Sequence, residues 1–252
     1  LQLAQLQDAD EHHAEALATV DRFLTETKSE DETAMKIKTQ ILLGMNKPGE
    51  AAALLEKAAE KNPGDKKTMM NLASLYLEAN QDAKAYGIYQ KMRAGDMFTE
   101  QKDYEGGFAL LANLDGHEKD AMALIEEGEK KGVLQPTYQM YAFIGRQYFD
   151  ADNLPKAIEY WNKGAPMSKD GEMYLNVAKL ELDADHYAAA KDAAMQAKAK
   201  GVKRVGDVYQ VLAGAENGMG NKAASQAALK EAAKYPETKK WAESALRQGL
   251  AK

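Results

Sequence analysis

The feature that most restricts this chain is a recurrence. An Ala, then a mostly large residue four positions on, then a mostly small one three further appear as Ala16-Val20-Phe23, Ala51-Leu55-Ala58, Ala85-Tyr89-Met92, Ala121-Ile125-Gly128, Ala157-Trp161-Gly164, Ala190-Ala194-Ala197 and Ser225-Leu229-Ala232. Successive first members lie 35, 34, 36, 36, 33 and 35 residues apart. Positions i, i+4 and i+7 share one face of a helix. Upstream, Leu72-Ala73-Tyr76, Phe108-Ala109-Ala112, Ile144-Gly145-Tyr148, Val177-Ala178-Glu181 and Leu212-Ala213-Glu216 recur on a face of their own. Each period therefore holds two helices, and the chain is expected to be all-α. A lone hairpin cannot bury its apolar face, so such units stack into an α-solenoid. The Ala positions let paired helices approach closely while the large residue fills the gap to a neighbour.

The unit MNLASLYLEANQDAKAYGIYQKM (70–92), with the breaker KNPGD (61–65) before it, resembles the tetratricopeptide repeat (TPR). The resemblance implies a right-handed TPR superhelix over 1–252, with repeats at about 1–31 (incomplete), 32–65, 66–101, 102–137, 138–170, 171–205 and 206–236. A capping helix follows at 237–252, with Lys239, Lys240, Glu243 and Arg247 outward and Trp241, Ala245 and Leu246 inward.

Little else in the chain points to chemistry. With 252 residues and a net charge of −6, it lacks the clustered cations that nucleic acid demands. It has no cysteine, and no apolar run long enough to span a membrane. Leu1 starts within an apparent helix, and the expectation is that upstream sequence, such as an export signal, a lipobox or a further helix, was removed. His12 and His13 diverge on one helix, and His117 and His186 sit in turns, so no metal ligand set is expected. GMGNK (218–222) lacks phosphate-loop spacing, and DADN (150–153) runs into Leu154 and Pro155 where a calcium loop needs glycine and further ligands. KAKGVKR (198–204) reads as a charged inter-repeat loop, and the pairs Glu126-Glu127 and Asp183-Asp185 read as surface carboxylates. Seven repeats and a cap leave no residues for a catalytic domain. The chain is expected to be non-enzymatic, with no cofactor and no metal.

The TPR resemblance implies a partner segment in a concave groove lined by the first helix of each hairpin. Carried onto this sequence, the groove positions are Lys36, Gln40 and Leu43; Lys67, Met70, Asn71, Ser74 and Leu77; Leu110 and Asn113; Arg146 and Phe149; Leu175, Lys179 and Leu182; Gln210 and Asn217. Amides among them suit an extended peptide backbone, and the apolar residues its side chains. The carboxylate clamp of heat-shock co-chaperones is not expected. Lys36, Gln40 and Asn71 are followed by Asp103 and Gly107 where the clamp needs cations.

More narrowly, the GVL and GVK turns and the KYPET entry to the last helix resemble the periplasmic TPR proteins associated with TonB, ExbB and ExbD. That resemblance implies a periplasmic scaffold supporting TonB-dependent energy transduction and siderophore or nutrient uptake. The alternatives are an envelope assembly adaptor for pili or outer-membrane proteins, a regulatory subunit of another complex, and a cytoplasmic location. An apolar face at Leu1, Leu3 and Leu6 makes dimerisation through the first repeat a further expectation.

In NLPKAIEYWNKGAP (153–166), Asn153 is the expected helix cap, Pro155 lies in the first turn, and Trp161 is the large residue packed between helices. Trp161→Ala should cost about 3–5 kcal/mol in denaturant unfolding. Loss of partner binding at unchanged thermal stability would instead place Trp161 in a binding site.

Overall fold

The computed structural model describes residues 1–28 and 31–249. Among these the regular structure is helical throughout, with no strand. Residues 29–30 of the first expected repeat and 250–252 of the capping helix lie outside the described residues. The helices group into two compact units, Leu1–Gln135 and Pro136–Lys252.

The first unit holds four antiparallel hairpins: α1 (Gln2–Ala9) with α2 (His13–Thr27), α3 (Glu32–Gly44) with α4 (Pro48–Lys61), α5 (Lys66–Glu78) with α6 (Asp82–Ala94), and α7 (Gln101–Leu111) with α8 (Glu118–Lys130). The second holds three, α9 (Tyr138–Asp150) with α10 (Leu154–Gly164), α11 (Glu172–Asp183) with α12 (Tyr187–Lys200), and α13 (Val205–Gly218) with α14 (Lys222–Ala232), followed by α15 (Lys239–Gln248). A short 3-10 turn at Ala165–Met167 extends α10. Within each unit, a second helix also packs on the first helix of the next hairpin.

One turn geometry sets the phase of these hairpins. A residue with left-handed backbone stands at Glu11, Asn46, Asn80, Gly116, Asp152, Asp185 and Gly220, in each case five positions before the recurrent Ala or Ser. Asn, Asp and Gly tolerate that conformation, whereas Glu11 adopts it at a steric cost. In six hairpins the amide after this residue donates to a carbonyl five residues back, 2.8 Å away in every case: His12 to Gln7, Lys47 to Leu42, Gln81 to Tyr76, Asn153 to Tyr148, His186 to Glu181 and Asn221 to Glu216. This is the helix-ending bond of a Schellman motif. The α7–α8 connection departs from it and closes through Leu114, whose amide donates to Leu111 and whose carbonyl accepts from His117.

With the phase fixed, the recurrent small residues meet the core. Ala16, Ala51, Ala85, Ala121, Ala157 and Ala190 are wholly buried, and Ser225 is buried with its Oγ donating to Ala213 O at 2.8 Å. Asn153 accepts from Lys156 N at 3.4 Å as the cap of α10, ahead of Pro155 in the first turn. Trp161 is buried, and its indole Nε1 donates to Ala142 O at 3.2 Å. The ring lies in a slot opened by Gly145 of α9.

Three expected registers are corrected. In α4 the buried set is Ala51, Ala52 and Ala59, with Ala58 exposed, so this helix is turned by one residue relative to the other second helices. In α7 the core face is Tyr104, Gly107 and Leu111 in place of Phe108, Ala109 and Ala112, of which both alanines are exposed. The slip has a local cause. Glu100 and Asp103 form a capping box that starts this helix at Gln101. In α15, Ala242 and Ala245 pack on Ala228, Leu229 and Ala232, which leaves Trp241 39 % exposed at the edge of the buried stripe.

A methyl group added at Gly145 would lie 2.3 Å from Trp161 Cδ1. Gly145→Ala should therefore cost about 1–3 kcal/mol or more by overpacking. Combined with Trp161→Leu it should cost less than the sum of the two single changes, measured by urea unfolding of the four chains. Additive losses would mean that the indole does not occupy that slot.

Candidate functional site

First helices meet directly at α1 with α3 and α5 with α7 in the first unit, and at α11 with α13 in the second. Each of the last two contacts pairs a large apolar side chain with a glycine. Met70 Cε sits 3.1 Å from where a Cβ of Gly106 would be, and Leu182 Cδ2 sits 3.0 Å from that of Gly214. Met70 and Leu182, both expected groove residues, are half-buried and form the floor of these clefts.

In the first unit, Lys36, Gln40 and Leu43 form an exposed stripe on α3, and the side chains of Lys36 and Gln40 make no hydrogen bond among the described residues. On α5, Lys67, Asn71 and Ser74 are exposed and Leu77 is half-buried. Ser74 Oγ turns back to Met70 O at 3.2 Å, whereas the Asn71 carboxamide is uncommitted. On α7 the one-residue slip changes the assignment. Leu110 is buried, and Asn113 Nδ2 donates to Ala109 O of its own helix at 2.7 Å. The stripe containing Gly106 is instead Lys102, Glu105 and Ala109, three positions the sequence pattern missed. Aligning this helix on its Glu100/Asp103 capping box, rather than on Phe108, would have found them.

In the second unit, Arg146 Nε pairs with Asp150 at 2.8 Å, and the Phe149 ring lies 5.7 Å from that of Trp161 while remaining 37 % exposed. Leu175 is core rather than groove. Lys179 is exposed along its length, but its Nζ is held 2.8 Å from Asp207 Oδ2 near the start of α13. Arg204 reaches the other oxygen of Asp207 at 3.0 Å. Gln210 is half-buried and Asn217 exposed, and neither side chain is hydrogen-bonded. The side chains left to a ligand on the first helices thus include Gln40 and Asn71 in one unit and Gln210 and Asn217 in the other.

Asp103, read in the sequence as repelling a ligand carboxylate, has a different role. It is buried, 2.6 Å from Lys66 Nζ, and accepts the amides of Thr99 and Glu100 at 3.0 and 2.9 Å. Burial would raise its carboxyl, but the bonds from Lys66, Thr99 and Glu100 outweigh this and hold it below its ordinary value. A cleft of about 460 Å3 lies away from the first-helix face, between Arg93, Phe98, Thr99, Glu127 and Lys131. Glu127 takes Arg93 at 2.6 Å and Lys131 at 2.7 Å, so the cations there are already compensated.

The remaining motifs are structural. Lys200 of the basic run donates to Pro166 O at 2.8 Å and Ser168 O at 2.6 Å, tying α12 to the loop before α11. His13, His117 and His186 each pair with one carboxylate, and no group of three metal-ligating side chains occurs among the described residues. No helix among them is long and apolar enough to cross a membrane.

Comparison with known proteins places this architecture. The tetratricopeptide repeat family matches residues 42–97, which span α4, α5 and α6. Among solved structures, the chain is similar to YrrB, described as a TPR protein with an unusual peptide-binding site, at 16 % identity over 77 % of this chain and 97 % of that one, with a TM-score of 0.57. It is also similar to the C-terminal part of a TPR repeat-containing protein from Cytophaga hutchinsonii (16 % identity, 78 % and 77 % covered, TM-score 0.55) and to PilF of Pseudomonas aeruginosa (14 %, 79 % and 89 %, TM-score 0.50). No curated protein matches the chain at a significant level. At these identities the likeness is one of fold, and the fold is that of the TPR proteins.

The Glu127 cluster gives a pH signature. The Arg93 guanidinium above all, with Lys131, holds the Glu127 carboxyl down to about 2 against the opposing effect of burial. Because the folded value is depressed from 4.5, the stabilisation is complete above that pH and is lost as the pH falls through about 2. Glu127→Gln should cost on the order of 2 kcal/mol at neutral pH, and its deficit should vanish toward pH 2 in denaturant titrations. A deficit independent of pH would remove the ion pair as its cause.

Proposed function

We propose that this chain is a non-enzymatic scaffold that holds an extended segment of a partner protein on its first-helix faces. The observation that carries the reading is the α5/α7 cleft. There the uncommitted Asn71 carboxamide stands beside Met70, whose side chain rests on Gly106, with Lys67 and Leu77 on the same face. An amide that can both donate and accept suits a peptide main chain, and Met70 and Leu77 offer adaptable apolar contact to its side chains. The peptide-binding site of the structurally similar YrrB supports this choice of ligand class.

The proposed partner is the TonB–ExbB–ExbD system and the proposed compartment the periplasm, on the strength of the GVL, GVK and KYPET stretches. In the fold, Gly132 and Gly201 of the first two are left-handed turn residues, and Thr238 of the third donates to Ala232 O at 2.7 Å. These stretches shape inter-repeat turns, so the partner is decided by binding.

The purified chain should capture TonB-system components from envelope extracts, and Asn71→Ala should weaken the captured complex about tenfold with thermal stability unchanged. Capture of only cytosolic chaperones, or of pilus or outer-membrane assembly factors, would overturn the TonB assignment. Full binding by the Asn71→Ala chain would overturn the groove.

A further inference from the structure

We infer that copies of this chain associate head to tail, the outer face of α1 on one copy taking the exposed edge of α15 on another. The inference begins with an uneven distribution of charge. Residues 1–32 carry nine carboxylates against two cations, whereas residues 222–252 carry seven cations against three carboxylates. Each of these regions also exposes large apolar side chains. On α1, Leu3 and Leu6 are 54 % and 65 % exposed, on the side of the helix opposite the buried Ala4. Asp10 continues the same stripe at i, i+3, i+7, is exposed, and has no ion-pair partner. On α15, Trp241 is 39 % exposed at the edge of the stripe that packs on α14. Lys240 and Arg247 flank it on the outer side of the helix, and both are exposed, with no ion-pair partner among the described residues.

The two faces are complementary in kind. A tryptophan laid on two leucines supplies an apolar centre of the sort that dominates association energy, and Asp10 opposite Lys240 or Arg247 supplies a charged rim that guides approach and fixes orientation. Pairing α1 with α1 would bring Asp10 against Asp10 and leave the tryptophan unused, and pairing α15 with α15 would oppose Lys240 and Arg247 with themselves. The favourable contact is therefore heterologous. A heterologous contact leaves one free face at each end of the assembly, so association continues beyond a dimer unless the ring closes.

The test is sedimentation velocity on the 1–252 chain from micromolar to near-millimolar concentration, at low and at high salt. The expected result is an average mass that rises past the dimer with concentration and falls with added salt, because the rim charges are screened. Leu6→Glu and Trp241→Lys should each be monomeric alone. Mixed, they should form a one-to-one dimer that grows no further, since each supplies the face the other lacks. Because Trp241 is partly buried, the doubly reversed Lys240→Glu, Arg247→Glu chain and Asp10→Lys test the same faces at exposed sites: each should be monomeric alone, and their mixture should associate past the dimer, since both of its α1–α15 contacts then oppose unlike charges. A parent chain that is monomeric throughout would overturn the inference. So would a parent dimer abolished by Leu6→Glu but indifferent to the α15 variants, or a failure of both mixtures to associate.

Discussion

The structure depends on how each hairpin turns. A left-handed residue ends the first helix, a 2.8 Å bond closes back over its last turn in six of seven cases, and five residues later an Ala or Ser enters the core. The turn sets where the second helix meets the first, at the recurrent Ala or Ser, while α4 is rotated one residue from the other second helices beyond that point. Only one face of that helix can then meet its partner at close range, and a side chain larger than a methyl or hydroxymethyl group on that face would push the helices apart. Everything stacked on the hairpin inherits this phase.

Where helices approach more closely still, the space comes from glycine and is filled by something large from the neighbouring helix. Trp161 in the slot at Gly145, Met70 on Gly106 and Leu182 on Gly214 are three instances at different depths. Buried between α9 and α10, the first is pure core. The other two lie between first helices, half-exposed, and so the same packing device that joins repeats also makes the floor of a groove.

Charged residues show the opposite economy. Lys179 and Arg204 secure Asp207, Lys66 secures Asp103, Lys200 satisfies two loop carbonyls, and Arg93 and Lys131 share Glu127. Four of these sets, Lys179 with Asp207, Lys66 with Asp103, Arg93 with Glu127 and Lys200 with its loop carbonyls, join successive repeats. They also withdraw from ligand binding Lys179, which looks available in the sequence.

What the sequence alone determined was periodic. The 33 to 36 residue interval, the small residues that recur at it and the turn residues five positions earlier are each written locally, because close helix contact and left-handed backbone exclude most side chains wherever they occur. The helices and the positions of the recurrent buried alanines follow from that. Helix phase to within one residue did not follow, since a slip of one turns a side chain by about 100° while leaving an apolar pattern nearly as good. In α7 the capping box and the packing of Tyr104, Gly107 and Leu111 selected the rotation, which exchanged Leu110 for Lys102, Glu105 and Ala109 on the groove side. Likewise Trp241 lost its expected place in the core once Ala242 and Ala245 met α14. The partners of Lys179 and Asn113 lay beyond the sequence for a further reason. Whether a polar side chain is spent within the fold depends on which acceptor another element brings within about 3 Å, and only the assembled helices decide that.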